Sequence, residues 1–153
     1  MIYVGVDPGC EGGIACVGDV VGAWKIPLNA DREPRHAAIL SFFGSKEVIV
    51  AIEEQFLIPR HRGEKEKLTN FGILLGLFQS FAVAVYRVPW NEWQPYMAPG
   101  APKGNGHKAF LVKRAKRLFP DLKIGNHSGM ADSLLLAEYC RFIAGQTGKK
   151  GNR

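Results

Sequence analysis

Residues 1–18 read MIYVGVDPGCEGGIACVG, and the parsing of that run decides the fold. Ile2, Val4 and Val6 alternate with Tyr3 and Gly5, which is the period-2 pattern of a strand with one buried face. Val6 ends the apolar row, and Asp7 projects from the sheet just as the chain turns at Pro8-Gly9. Asp before Pro-Gly is good turn chemistry. A carboxylate held at the end of an apolar strand is also well placed to meet a ligand. GGIACVG (12–18) then returns as a second strand, and VVGAWKIPL (20–28) follows the Gly18-Asp19 turn as a third, so three antiparallel strands open the chain.

Outward from there, residues 35–43 carry apolar side chains near 37, 39, 40 and 43 and predict a short helix. EVIVAIE (47–53) is an almost continuous β-branched run, the mark of a strand covered on both faces, and it closes on Glu53. PRHRGEKEK (59–67) reads as a charged loop, followed by a helix over 68–81 in which Gly72 and Gly76, four apart, leave room for another backbone. AVAVYRV (82–88) predicts the fifth strand, stopped by Pro89. The Pro/Gly-rich stretch 89–106 shows little regular pattern, and its length points to function more than to mere connection. Helices are predicted over 107–119, ended by Pro120, and over 129–144, capped by Gly145. The order is that of an α/β domain spanning 1–145, with 146–153 as a flexible basic tail.

Composition narrows the class. The chain has 153 residues, one domain's worth, with 46% hydrophobic and 22% charged residues, which excludes disordered, collagen-like and coiled-coil classes. Net charge is +6, mostly from the second half, and predicts an acidic partner, nucleic acid first. Cys10, Cys16 and Cys140 have no metal-type spacing and fit isolated thiols in a reducing compartment. The apolar run 71–88 is broken by Gln79, Ser80 and Arg87, so no membrane span is expected. With a strand starting at the N-terminus, no signal peptide is expected either, and a cytoplasmic location follows.

Asp7, Glu53 and Asp132 share a setting. Two end apolar strands, and the third lies in the first turn of an apolar helix, MADSLLLAEY. If the first and fourth strands are neighbours, Asp7 and Glu53 emerge together, with Asp132 facing them on a stripe with Leu136 and Tyr139. Like charges gathered in one buried place cannot all ionise without a counter-ion, and a hard divalent cation such as magnesium meets that need. Two such ions suit phosphodiester hydrolysis.

GVDPGCEGGIA, VAIEEQF and HSGMADSLLLAEY, in that order and with TNFGILLGL and WNEW between them, resemble the RuvC family of Holliday-junction resolvases, especially its small phage-type members. The resemblance runs from Met1 to about Phe142. It implies the ribonuclease-H-like fold, a five-stranded mixed sheet flanked by helices. It also implies a magnesium-dependent endonuclease with two ions, manganese able to substitute, that cuts four-way and other branched DNA as a homodimer, in a bacterial cell or phage-infected host, with no nucleotide cofactor and no membrane partner. By motif, Asp7, Glu53 and Asp132 match the metal-binding carboxylates. Glu54 is the alternative to Glu53, and since it would point to the opposite face of the strand only one of the two can serve.

The chain departs from the family pattern at Asn126-His127-Ser128-Gly129, where an acid or a histidine is usual. Ser128 fills the acidic slot and is expected to cap the helix. His127 is the remaining candidate, as metal ligand or as a base that orients water. Lys108 matches a lysine that would stabilise charge on the phosphate in the transition state. In 107–119, Leu111, Ala115 and Leu118 form one face, with Lys113, Lys116 and Arg117 nearly opposite as candidate phosphate contacts, and Lys103 precedes them. Arg60, His61, Arg62, Lys65 and Lys67 belong to the charged loop, which would track a DNA backbone. Phe56 matches an aromatic that stacks on bases at the junction centre, while Trp90 and Trp93 are expected to pack. Two other readings stand beside the resolvase: a catalytically weak junction-binding protein, and a nucleotide-binding domain of the actin-like or sugar-kinase group, which needs two such domains where this chain has room for one.

Overall fold

The structure is a computed structural model that describes residues 1–9, 11–56 and 64–150, without the side chains of 147–150. Strands β1 (Ile2–Asp7), β2 (Gly13–Gly18) and β3 (Gly22–Lys25) run antiparallel in sequence. β4 (Val48–Glu53) then lies parallel to β1 on its free side, and β5 (Ala84–Val88) lies parallel to β4. The sheet order is β3-β2-β1-β4-β5, so the five-stranded mixed sheet with three antiparallel strands at its start is as expected, and the first and fourth strands are neighbours.

Helices cover both faces. On one side, Ile39 of α1 (His36–Leu40), Phe43 just beyond it, and Leu74, Leu77 and Phe78 of α2 (Glu64–Gln79) pack on Ile2, Val4, Val6, Val48, Val50 and Ile52. On the other, α3 (Trp90–Met97), α4 (His107–Leu118) and α5 (Ser128–Lys150) bury Trp93, Leu111, Ala115, Leu134, Leu135 and Leu136 against Ala15 and Ala51. Val4 and Val50 thus face one helical layer while Gly5 and Ala51 face the other, by the alternation of side chains along a strand.

The α5 side of the sheet is lined by small residues, and this sets how closely the helix lies. A Cβ on Gly5 would stand 2.1 Å from the Ser133 carbonyl oxygen and 2.3 Å from the Ala137 nitrogen. A Cβ on Gly13 would be 2.5 Å from the Gly129 oxygen, and one on Gly129 would be 2.1 Å from the Glu11 oxygen. The backbone of α5 therefore rests on the backbone of β1 and of the β1–β2 turn.

Four elements differ from the sequence reading. α2 begins at Glu64, so Lys65 and Lys67 lie in its first turn; residues 57–63, and with them Arg60, His61 and Arg62, fall outside the described residues. The stretch after β5 contains α3, a helix of eight residues with Pro95 inside it, hidden from periodicity by its shortness and by that proline. In α4 the buried stripe is Leu111, Val112 and Ala115, whereas Leu118 is exposed. α5 continues through Gly145 to Lys150, so that glycine is a helical residue and not a cap, and residues 146–150 are helical where a tail is expected. Cys16 and Cys140 are free and buried, and burial raises their thiols to about 11 and about 12, which leaves them unreactive. Among the described residues no helix is long and apolar enough to cross a membrane.

Gly5→Ala is expected to destabilise the protein by about 3 kcal/mol or more in urea denaturation, because backbone and not a flexible side chain must move. Gly145→Ala has open space for its Cβ and removes a helix-interior glycine. It should raise stability by about 0.5–1 kcal/mol; a loss would restore the cap reading.

Candidate active site

The pairing of β1 with β4 ends at Val6↔Ile52, and the next residues of the two parallel strands are Asp7 and Glu53. Parallel strands end at the same edge, so the two carboxylates leave the sheet together, on the face that carries Gly5, Ala51 and α5. Asp132 is the fifth residue of α5, and the close seating of that helix brings its half-buried side chain to the same edge. Glu54 points elsewhere: its carboxylate pairs with Arg87 of β5. The structure thus gathers Asp7, Glu53 and Asp132 and leaves Glu54 out.

The electrostatics record that convergence. Burial raises the Asp7 pKa above the ordinary carboxylate range against the opposing pull of the Gly9 N–H, Lys67, Lys108 and His127. Burial and then the charge of Asp7 push Glu53 up to about 7. Burial, Asp7 and Glu53 together push Asp132 up to about 8, with Lys108 opposing. Burial and mutual repulsion outweigh the cationic neighbours, so all three carboxylates sit above their ordinary range.

Each carboxylate is held differently. Asp7 Oδ1 accepts the Gly9 N–H at 3.1 Å, so the turn role and the site role coexist. Glu53 Oε2 accepts the indole N–H of the fully buried Trp93 at 2.9 Å, and Gln55 Nε2 lies 3.4 Å from Oε1 and 3.2 Å from the Glu53 carbonyl. Asp132 Oδ1 is buried with no hydrogen-bond partner among the described residues. An orphaned carboxylate oxygen beside surplus negative charge is the chemistry of a hard-cation site. Among the described residues no three His, Cys, Asp or Glu side chains already stand close enough to ligate one ion, so coordination requires them to draw in.

His127 is half-buried beside this cluster, and its Nδ1 accepts the Met130 N–H at 3.1 Å. The helix begins at Ser128, so His127 caps it and Ser128 does not, contrary to the sequence reading. With the Nδ1 lone pair committed, the neutral ring carries its proton on Nε2. The cap therefore favours His127 as a holder of protons over His127 as a metal ligand.

Cationic residues surround the edge. Lys108, Lys113 and Lys116 line a groove of about 570 Å³ with Asn126 and Ser128, and Lys116 Nζ donates to Asn126 Oδ1 at 3.1 Å. Lys103 and Arg117 are exposed and do not line it. Lys65 lies away from this groove, beside Asp31, Arg32 and Thr69, while Lys67 acts on both Asp7 and Glu53. Phe56 is 55% exposed three residues past Glu53, so it is not packed in the core. Trp93 and Gln55 are the neighbours of Glu53 that sequence reasoning misses, whereas Lys67 is expected beside the site as part of the charged stretch; the indole of Trp93 finds Glu53 only because α3 exists.

A mixed sheet in this order, with helices on both faces, is the ribonuclease-H-like fold. Within it the chain is similar to RuvC of Thermus thermophilus. The structure described as "T. thermophilus RuvC in complex with Holliday junction substrate" superposes with a TM-score of 0.70 at 20% identity, over 94% of this chain and 94% of that one. A second Thermus thermophilus RuvC structure gives a TM-score of 0.64 at 21% identity, over 96% and 97%. No family model matches the sequence, and no curated protein matches it.

The raised acids set the direction of pH dependence. Glu53 and Asp132 titrate at 4.5 and 3.8 when unfolded and at about 7 and about 8 when folded, so their contribution is fully present below about pH 4 and is lost as pH rises through 7 and 8. Metal-free protein should be more stable at pH 5 than at pH 8.5 in denaturant titrations. Asp132→Asn should flatten that dependence. Trp93→Phe keeps the ring packed but removes the donor to Glu53, and the Glu53 midpoint should climb above about 7 in carboxyl-carbon NMR titration.

Proposed function

We propose that the protein is a divalent-metal-dependent, structure-selective endonuclease that cleaves four-way junctions and other branched DNA by phosphodiester hydrolysis. The observation that carries this reading is the convergence of Asp7, Glu53 and Asp132 at one sheet edge with a surplus of negative charge and an unpartnered Asp132 oxygen. The fold is shared with a RuvC whose structure holds a Holliday-junction substrate, and the basic surface suits the same kind of partner.

Asp7, Glu53 and Asp132 are the residues that would hold the metal, two magnesium ions with manganese as a substitute. Bound there, the metal supplies Lewis acidity toward a phosphodiester oxygen. The rest of the chemistry belongs to the chain. Trp93 and Gln55 orient Glu53, and the Gly9 N–H fixes one oxygen of Asp7. Lys108 opposes the negative charge of Asp7 and Asp132 and would do the same for charge that builds on the phosphate. The Nε2 proton of His127 would hydrogen-bond water or the departing oxygen. Lys113 and Lys116 beside Lys108, with Arg117 and Lys103 further out, would bind flanking phosphates, and Phe56 would stack at the branch.

A two-fold junction calls for two opposed cuts and so for a symmetric dimer. α2 supplies the face: Gly72 and Gly76 are exposed with open space above them, and Phe81 and Val83 are exposed just past its end. A second reading, a junction-binding protein with weak cleavage, is favoured by the fact that no described trio of side chains is already in ligating range.

On a synthetic four-way junction with magnesium, the protein should make paired nicks, and Asp7→Asn should lower the rate by at least about 1000-fold while junction binding persists. Intact junction across magnesium and manganese, with binding retained, would instead support the weakly cleaving protein. Gly76→Arg should convert the dimer to monomer in sedimentation velocity with unchanged circular dichroism. Equal affinity for duplex and junction would remove the branched-DNA assignment.

A further inference from the structure

Trp90 opens α3 two positions beyond Val88, the residue that pairs with Glu53, so it leaves the sheet at the edge where the carboxylates lie. Its side chain is 55% exposed, whereas Trp93, one helical turn further on, is fully buried. The exposure is not that of an open surface. Trp90 forms part of a groove of about 380 Å³ shared with Gln94, Pro99, Pro102, Lys103 and His107. His107 braces it, with Nδ1 2.9 Å from the Pro102 carbonyl and Nε2 3.0 Å from Gln94 Oε1. Among the described residues no carboxylate lines the groove, and the flexible charge there is the Lys103 ammonium.

We propose that this groove is a nucleobase subsite, in which an unpaired base of a branched DNA strand stacks on Trp90 and Lys103 meets the adjoining phosphate. An aromatic face with flat proline walls fits a π-surface, and that surface is available only on a base outside the duplex stack. The absence of acidic groups and the presence of a lysine match a polyanion. Position favours DNA as well. Phe56 follows β4 and Trp90 follows β5, the neighbouring strand, so exposed aromatics bracket Glu53 at one edge. The subsite rests on the reading of the protein as one that acts on branched DNA, and it would select structures that offer unpaired bases beside the cleaved bond.

The test uses the full chain in metal-free buffer with a labelled short oligothymidylate, followed by anisotropy and by tryptophan emission. Wild-type protein should bind it with quenched emission, and should bind an abasic strand of equal length more weakly. Trp90→Ala, a change at an exposed side chain, should weaken oligothymidylate binding about 5- to 150-fold, with Trp90→Phe retaining most of the affinity. Lys103→Glu should weaken both strands alike. Equal binding of the thymidylate and abasic strands, or unaltered affinity in Trp90→Ala, would overturn the subsite while cleavage of the four-way junction by wild-type protein left the nuclease reading standing. No binding of either strand or of a junction would overturn both. A Trp90-dependent emission shift driven by protein concentration alone, with no response to oligothymidylate, would give the groove to a second copy of the chain and overturn the subsite.

Discussion

The structure depends on how closely α5 approaches the sheet. Gly5, Gly13 and Gly129 place backbone against backbone, so the helix is seated by its main chain and not by adjustable side chains. That contact fixes the height of the first turn of α5 above the end of β1. One extra methyl at Gly5 would have nowhere to go, and the helix would have to lift or tilt. Asp132 would then leave the edge where Asp7 and Glu53 emerge. Packing density and site geometry are here the same constraint.

Held there, the carboxylates are in conflict. Asp7 raises Glu53, both raise Asp132, and Lys67, Lys108 and His127 oppose only part of the effect. Beneath them the other face of the sheet carries an apolar core in which Val6 and Ile52 are fully buried. Proteins that concentrate charge in this way keep a local instability at the place where a ligand will relieve it. Trp93 limits the freedom of the arrangement: its buried N–H gives one oxygen of Glu53 a fixed partner and leaves the other near the weaker Gln55 contact.

Much of this was legible in the sequence. The alternation of Ile2, Val4 and Val6 and the β-branched run into Glu53 mark the strands, and the parity of residues 53 and 54 lets only one of the two glutamates face the site. Their partners confirm the parity, since Glu53 meets Trp93 and Glu54 meets Arg87. What sequence could not show was tertiary. α3 is too short and too interrupted by Pro95 to announce itself, so Trp93 read as ordinary packing and Trp90 as the same. Gly145 carries the composition of a cap but sits in continuous helix, because the long α5 does not need to stop there. Ser128 looked like the helix cap by residue type, yet the imidazole one residue earlier reaches the Met130 N–H first.

The origin of the three carboxylates along the chain has a temporal consequence. Asp7 and Glu53 are in place once the sheet has formed, but Asp132 and His127 arrive on the last helix. During synthesis the N-terminal elements emerge first, and a chain made only as far as α4 has no third acid and no α5 backbone against Gly5. The edge that carries all three carboxylates is therefore complete only at a single late moment, with the docking of α5.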